Sequence, residues 1–114
     1  MAMLWPKGGV QGVFINVLTL DSYNRVMAKL NAESLKDENA SMVMRYFSRN
    51  SGELIMDKAG RVVIPENLAR QAGVDKEAIL VGMWERFEIW SPERYQPTAA
   101  QEDAVVSMDL NKYL

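Results

Sequence analysis

The sequence predicts an α+β fold, with helices in the first half of the chain and short strands in the second. Between residues 21 and 50, apolar side chains recur at helical spacing, which is typical of helices that bury one face. Between residues 53 and 90, apolar runs alternate with turn residues, which predicts strand, turn, strand, short helix, strand, turn, strand. A unit of roughly 40 residues has too little interior to bury its own strands. We therefore expect it to pack against a second copy, from the same chain or another.

Composition excludes several classes of function. The chain has 114 residues and a net charge of −2, and it contains no Cys and no His. It therefore lacks a disulfide framework and the ligands of most transition-metal sites, so we expect no metal and no cofactor. It has neither an apolar run near the roughly 18 residues of a membrane span nor a basic, apolar leader. With no catalytic set visible, the sequence predicts a cytoplasmic protein that is not an enzyme and has no membrane partner.

Charge is unevenly distributed along the chain. Residues 45–70 hold five basic and three acidic side chains, whereas residues 71–114 hold four basic and eight acidic ones. The middle of the chain is thus the only net basic stretch. Since the net charge of −2 argues against indiscriminate nucleic-acid binding, any such contact is expected in this stretch.

The first half of the chain predicts one strand and two helices. Residues 13–18 are rich in β-branched and aromatic side chains and predict a strand. Three glycines before it, Gly8, Gly9 and Gly12, interrupt regular structure near the start of the chain. Asp21 is expected to cap the first helix, and the capping-box pattern of residues 34–37 to begin the second. Each helix has one apolar face, formed by Tyr23, Val26, Met27 and Leu30 in the first and by Ala40, Val43, Met44 and Phe47 in the second.

The second half opens with a predicted hairpin after the helix-breaking residues 50–52. Residues 53–56 and 61–64 predict two strands. Between them, Asp57 can brace a turn through its side chain, and Gly60 can take the positive φ that closes it. Pro65 then predicts the start of a short helix over residues 66–72, with Gly73 as its left-handed end.

A second hairpin and a polar tail complete the prediction. Residues 78–83 and 87–90 predict strands, and Ser91 can cap one further helical turn. Trp84 and Trp90 are expected in the core or in a subunit interface rather than as base-stacking platforms. From about residue 96 the chain is polar and acidic, which predicts either a weak helix or a frayed tail.

Three linked motifs in residues 53–90 resemble a known family. They are the turn Asp57-Lys-Ala-Gly-Arg61, the Ile64-Pro65 that follows it, and the ending Arg86-Phe-Glu-Ile-Trp90. Together they closely resemble the second repeat of the MraZ family, bacterial regulators of the division and cell-wall gene cluster that are built from two SpoVT-AbrB repeats. The resemblance implies a small swapped-hairpin AbrB-like β-barrel with short helices and a helical linker between repeats.

The resemblance also implies a division of the chain. Residues 1–20 would be a remnant of the first AbrB-like repeat, residues 21–50 the helical linker, residues 51–95 the second SpoVT-AbrB repeat, and residues 96–114 an acidic flexible tail. The opening hairpin of the first repeat, with its own Asp-x-x-x-Arg turn, is not found in this sequence. Asp21 and Arg25 share that spacing, but they lack the turn glycine and the Ile-Pro, so we expect them to lie in a helix.

The family's hairpin turns are implicated in contacting double-stranded DNA in the major groove. Carried over to this chain, the resemblance implies Arg61 as the first DNA-binding residue, Lys58 as the second and Arg86 as a weaker third, with Asp57 and Gly60 forming the turn. It further implies a nucleoid-associated regulator that assembles into a ring-like homo-oligomer. Two alternatives stay open: an oligomeric assembly module that has lost DNA binding, and an antitoxin-type AbrB-like protein that pairs with a toxin through its tail.

Overall fold

The computed structural model describes residues 1–6 and 13–114. The predicted break at Gly8, Gly9 and Gly12 lies outside the described residues. The described part contains five strands and four helices and has the predicted α+β composition. In chain order they are β1 Ala2–Trp5, β2 Phe14–Val17, α1 Leu20–Ser34, α2 Glu38–Arg49, β3 Ser51–Gly52, α3 Glu66–Ala72, β4 Ile79–Met83, β5 Arg86–Trp90 and α4 Pro92–Tyr113.

The strands form one antiparallel sheet in the order β3-β1-β2-β5-β4. The sheet therefore joins the strand pair at the start of the chain to the hairpin of β4 and β5. Leu4 pairs with Ile15 across β1 and β2, and Ile15 pairs with Ile89 across β2 and β5. This register sets three apolar side chains in a row on one face, because paired residues of neighbouring strands point to the same side.

The short helix α3 covers that face. Leu68 and Ala72 are fully buried against the Leu4–Ile15–Ile89 row. They are four residues apart, so they lie on the same side of the helix. The sequence predicts α3 with the observed bounds, and Gly73 ends it at a φ of +74° in the left-handed region, as expected.

The helical pair α1 and α2 covers the opposite face. Met3, which points away from its neighbour Leu4, is buried with Leu18 and Phe47. The predicted apolar face of α1 packs here, through Tyr23, Val26, Met27 and Leu30. The predicted stripe of α2 is only partly correct, because Phe47 is buried while Val43 is exposed.

Both predicted helix starts are displaced. Thr19, rather than Asp21, caps α1, and its hydroxyl accepts the N–H of Ser22 at 3.1 Å. Asp37, rather than Ser34, caps α2 by accepting the N–H of Asn39 at 2.9 Å. In each case a second capping residue lies within the same turn, and local pattern does not rank the two.

The predicted strands at residues 53–56 and 61–64 are not formed. Residues 53–64, here called the hairpin arm, contain a single bridge between Met56 and Val62. The arm pairs with no other strand of the described chain, and a two-stranded ribbon alone is marginal in water. Ile55 and Val63 remain 72% and 82% exposed. The observed sheet is thus an open five-stranded one.

The end of the chain is helical. Where the sequence predicts one helical turn and then a weak helix or frayed tail, α4 runs from Pro92 to Tyr113. No helix within the described ranges is both long and apolar enough to cross a membrane. Trp90 is buried as predicted. Trp84 is 99% exposed in the turn between β4 and β5, so of its two predicted positions the core is excluded and a subunit interface stays a prediction.

Candidate nucleic-acid interface

The tip of the hairpin arm is a braced turn at residues 57–61. The N–H of Asp57 donates to the carbonyl of Arg61 at 2.9 Å, and the N–H of Gly60 donates to the carbonyl of Asp57 at 3.1 Å. The Asp57 Oδ1 accepts the N–H groups of Ala59 and Arg61, each at 2.9 Å. Gly60 closes the turn at a φ of +82°, which glycine adopts without a Cβ penalty. Asp57 thus braces the turn and Gly60 closes it.

The Asp57 carboxylate also orients the arginine side chain. Its Oδ2 accepts the Nε–H of Arg61 at 2.9 Å. The pKa of Asp57 is lowered, first by the backbone hydrogen bond from Arg61, and further by the Arg61 side chain and the N–H groups of Ala59 and Gly60, against a smaller opposing effect of desolvation. The charged carboxylate is therefore the state that holds the turn.

The far end of the Arg61 guanidinium is available for binding. The side chain is 81% exposed, and within the described part of the chain its two Nη groups have no acceptor. Since Nε is held by Asp57, the two Nη groups project from a fixed turn. Lys58 is exposed in the same turn and has no ion pair with any described residue. These two cations and one anion give the turn a net positive charge.

Arg86 lies in a different hairpin, at the start of β5. Its Nη2 is 3.8 Å from Glu88 Oε2, a long ion pair. Glu88 in turn accepts the indole N–H of Trp90 at 2.8 Å. No bond joins Arg86 to the 57–61 turn in the part of the chain described here. The turn therefore brings together Asp57, Lys58, Gly60 and Arg61. Within the described residues, Arg86 makes no bond to any of them.

The base of the arm is anchored to the body of the protein. Leu54 and Ile64 are partly buried against the α3-covered core. Gly52 lies so close to Pro65 that a Cβ there would be 2.8 Å from the proline Cγ. The sequence predicts residue 52 only as a helix breaker, because its approach to Pro65 depends on how the chain folds back and leaves no local signal. A fixed base allows the arm to present its tip at one place.

The chain is similar to proteins that are named transcriptional regulators. It is 33% identical over 112 residues to the "Transcriptional regulator MraZ" of Desulforapulum autotrophicum, covering 92% of this chain and 73% of the relative. It is 37% identical over 79 residues to that of Clostridium acetobutylicum, covering 69% and 56%, and 28% identical over 85 residues to that of Acetivibrio thermocellus, covering 75% and 59%. The chain thus spans little more than half the length of the last two relatives.

A family model described as "MraZ protein, putative antitoxin-like" matches residues 47–111. This range includes the hairpin arm, α3, the β4–β5 hairpin and most of α4. The chain therefore belongs to the MraZ family, as its motifs predict. A family of transcriptional regulators is not a class of enzymes.

Proposed function

We propose that this chain is a sequence-specific DNA-binding regulator of transcription, whose 57–61 turn reads bases in the major groove of double-stranded DNA. One observation carries the proposal: Arg61 is held by Asp57 through Nε and keeps both Nη groups free and exposed. Two parallel Nη donors match the O6 and N7 acceptors of guanine, and such a pair contributes about 1–3 kcal/mol of discrimination. A side chain that is already oriented loses little conformational freedom on binding.

The other residues have supporting roles. Lys58 is a point charge suited to a phosphate oxygen, which adds affinity without base preference. Asp57 does not contact DNA and positions Arg61, since an unpaired carboxylate facing phosphate would repel it. Arg86 is a weaker candidate because it is half-buried beside Glu88.

One turn makes few phosphate contacts, so a single chain binds DNA weakly. We propose that the protein acts as a ring-like homo-oligomer, which presents several 57–61 turns to tandem repeats near its own promoter in the division and cell-wall gene cluster. Avidity of this kind can raise affinity by about 10²–10⁴ without any new contact. This places the working protein on the nucleoid.

The test is fluorescence anisotropy on tandem-repeat DNA from the region upstream of the gene, compared with scrambled DNA, at several salt concentrations. Arg61→Ala is expected to lose the preference for the specific DNA, about 5- to 150-fold per turn. Lys58→Ala is expected to weaken both DNAs alike and to flatten the salt dependence. Arg25→Ala is the matched control, because Arg25 is an exposed cation of an Asp-x-x-x-Arg sequence that lies inside α1. Unchanged binding of Arg61→Ala contradicts the assignment.

A second candidate is an assembly module without DNA binding. The exposed apolar side chains of the arm favour it, since Ile55, Met56 and Val63 are 72%, 66% and 82% exposed and suit a protein surface. It predicts a stable oligomer with equal affinity for specific and scrambled DNA. The antitoxin-type alternative predicts instead a complex of the acidic α4 with a toxin. The same anisotropy titration separates both from the proposed regulator.

A further inference from the structure

Two surfaces outside the DNA turn have no partner within the described part of the chain, and they complement each other. We propose that the C-terminal half of α4 docks in a groove on α2 of a second copy of this chain. This inference rests on the proposed oligomeric regulator and names the surface that joins its subunits. It concerns residues 98–113 on one side and the groove lined by α2 on the other.

Among the described residues, the hydrogen bond and the ring contact that join α4 to other elements lie at its start. Arg94 Nη1 donates to the carbonyl of Gln71 at 2.7 Å, and the Tyr95 ring packs edge-on against Trp90 at 5.3 Å between centroids. None of the residues of α4 is buried. Most of the stability of a helix in a protein comes from packing of its apolar face, so an unpacked α4 is suited to a partner along its free part.

The free part of α4 carries an apolar stripe. Val106, Leu110 and Tyr113 follow one another at helical spacing and are 54%, 48% and 71% exposed; Val105 adjoins them and is 51% exposed. Side chains at i, i+4 and i+7 lie on one face. From Val105 to Tyr113 the stripe spans about 12 Å, at 1.5 Å per residue.

The groove on α2 has a matching shape. It measures about 580 Å³ and is lined by Ser34, Ser41, Met44, Arg45, Ser48 and Arg49. The five residues from α2 follow at i, i+3, i+4, i+7 and i+8, so they form one helical face. Serine side chains are small and allow another helix to approach, and Met44 offers an adaptable apolar floor. From residue 41 to residue 49 the lining of α2 spans about 12 Å, comparable to the stripe.

Charge decides which surface fits the groove. The groove presents Arg45 and Arg49; Arg49 lies over the Tyr46 ring and has no carboxylate partner among the described residues, and Arg45 has only an exposed pair with Glu38 at 3.1 Å. The free part of α4 carries Glu102, Asp103 and Asp109 against one cation, Lys112. Opposite charges favour α4 in the groove and disfavour a pair of α4 helices, whose like charges would meet.

Docking between copies is head-to-tail. Each chain donates one helix and offers one groove, so its own groove remains open to a third copy. Such a heterologous contact closes into a ring when the rotation per subunit divides a full turn. The α4 of a single chain has no buried residue and so does not fill a groove of its own chain.

The chain has no cysteine, so single-cysteine variants report contacts without background. Ser48→Cys chains are mixed with Val106→Cys chains and treated with a short bifunctional maleimide. The proposal expects crosslinked dimers between residues 48 and 106, at least about tenfold above the control mixture of Asn24→Cys with Val106→Cys. Predominant linkage between two Val106→Cys chains overturns it, and so does a chain that sediments as a monomer at high concentration.

A charge exchange provides the second arm. Arg49→Glu is expected to weaken self-association by tenfold or more in sedimentation velocity, and mixing it with Asp109→Arg chains to restore most of the loss. Failure of the restoration overturns the docking. A co-purified protein bound to α4 in place of a second copy also overturns it. If crosslinking fails while DNA preference still depends on Arg61, the docking is wrong and the proposed function stands; the reverse result rejects the function alone.

Discussion

Substitution of Gly60 tests the turn directly, because it changes the backbone strain at this position without adding a steric clash. A Cβ at this position would have no atom within 4 Å, so Gly60→Ala creates no clash. Its φ of +82° remains, and the left-handed conformation costs an L-residue about 1–2 kcal/mol. The arm has only one bridge and few partners, so the strain is expected to open the turn rather than unfold the protein.

An opened turn releases Arg61 from its orientation, and the free energy of ordering it must then be supplied during binding. A cost of 1–2 kcal/mol corresponds to a loss of DNA affinity of about 5- to 30-fold, while the thermal unfolding midpoint stays nearly constant. Anisotropy titration and thermal unfolding measure the two quantities.

Gly82→Ala is the matched control, since a Cβ there also meets nothing within 4 Å and the residue lacks a positive φ. Gly60→Asn is expected to retain more affinity than Gly60→Ala, because asparagine tolerates the left-handed region. If Gly60→Ala binds as tightly as Gly82→Ala, the conclusion that turn geometry orients Arg61 is refuted.

Three further predictions concern the body of the protein, the turn and the second hairpin. Leu68→Ala, at a side chain with 0% exposure, is expected to lower the free energy of unfolding by about 2–5 kcal/mol in urea denaturation. A loss below 1 kcal/mol would contradict the core position. Because the pKa of Asp57 is lowered, its stabilisation of the turn is complete above the usual value of 3.8 and is lost as the pH falls through the lower folded value. Amide NMR shifts of Ala59 and Arg61 should follow that titration and become pH-independent in Asp57→Asn. Trp84 has a φ of +67°, so Trp84→Gly should raise the free energy of unfolding by up to about 1 kcal/mol, as relief of about 1–2 kcal/mol of strain exceeds glycine's entropic cost. A less stable variant would show that the exposed indole makes a stabilising contact.

Elements with strong local signals were predictable from the sequence. The helix α3 has a proline before it and a glycine after it, and both ends follow from those residues. The β4–β5 hairpin and the apolar face of α1 follow from periodicity alone. In the candidate site, Asp57 and Gly60 have side-chain and backbone roles set by the turn itself, so they too were predictable.

Features that depend on nonlocal partners were not predictable. The arm has the alternation of strands, yet strand formation needs a neighbour that the described chain does not offer. Trp84 lies in a turn at a position with a positive φ. Since tryptophan is usually buried, its residue type does not predict an exposed turn position. The extension of α4 to Tyr113 could not be predicted either, because a polar and acidic sequence is compatible with both a helix and a disordered tail.

Trp84 and Trp90 differ so much in solvent exposure that their fluorescence can report on two different parts of the protein. Trp90 is 1% exposed and stacks on Phe14 at 4.5 Å between ring centroids, whereas Trp84 is 99% exposed. Emission from Trp84 is expected near the wavelength of free indole in water and open to acrylamide quenching, and that of Trp90 blue-shifted and shielded. With Trp84 replaced by Phe, the fluorescence of the remaining indoles would monitor unfolding of the sheet; with Trp84 retained, its quenching would report any partner that covers the β4–β5 turn.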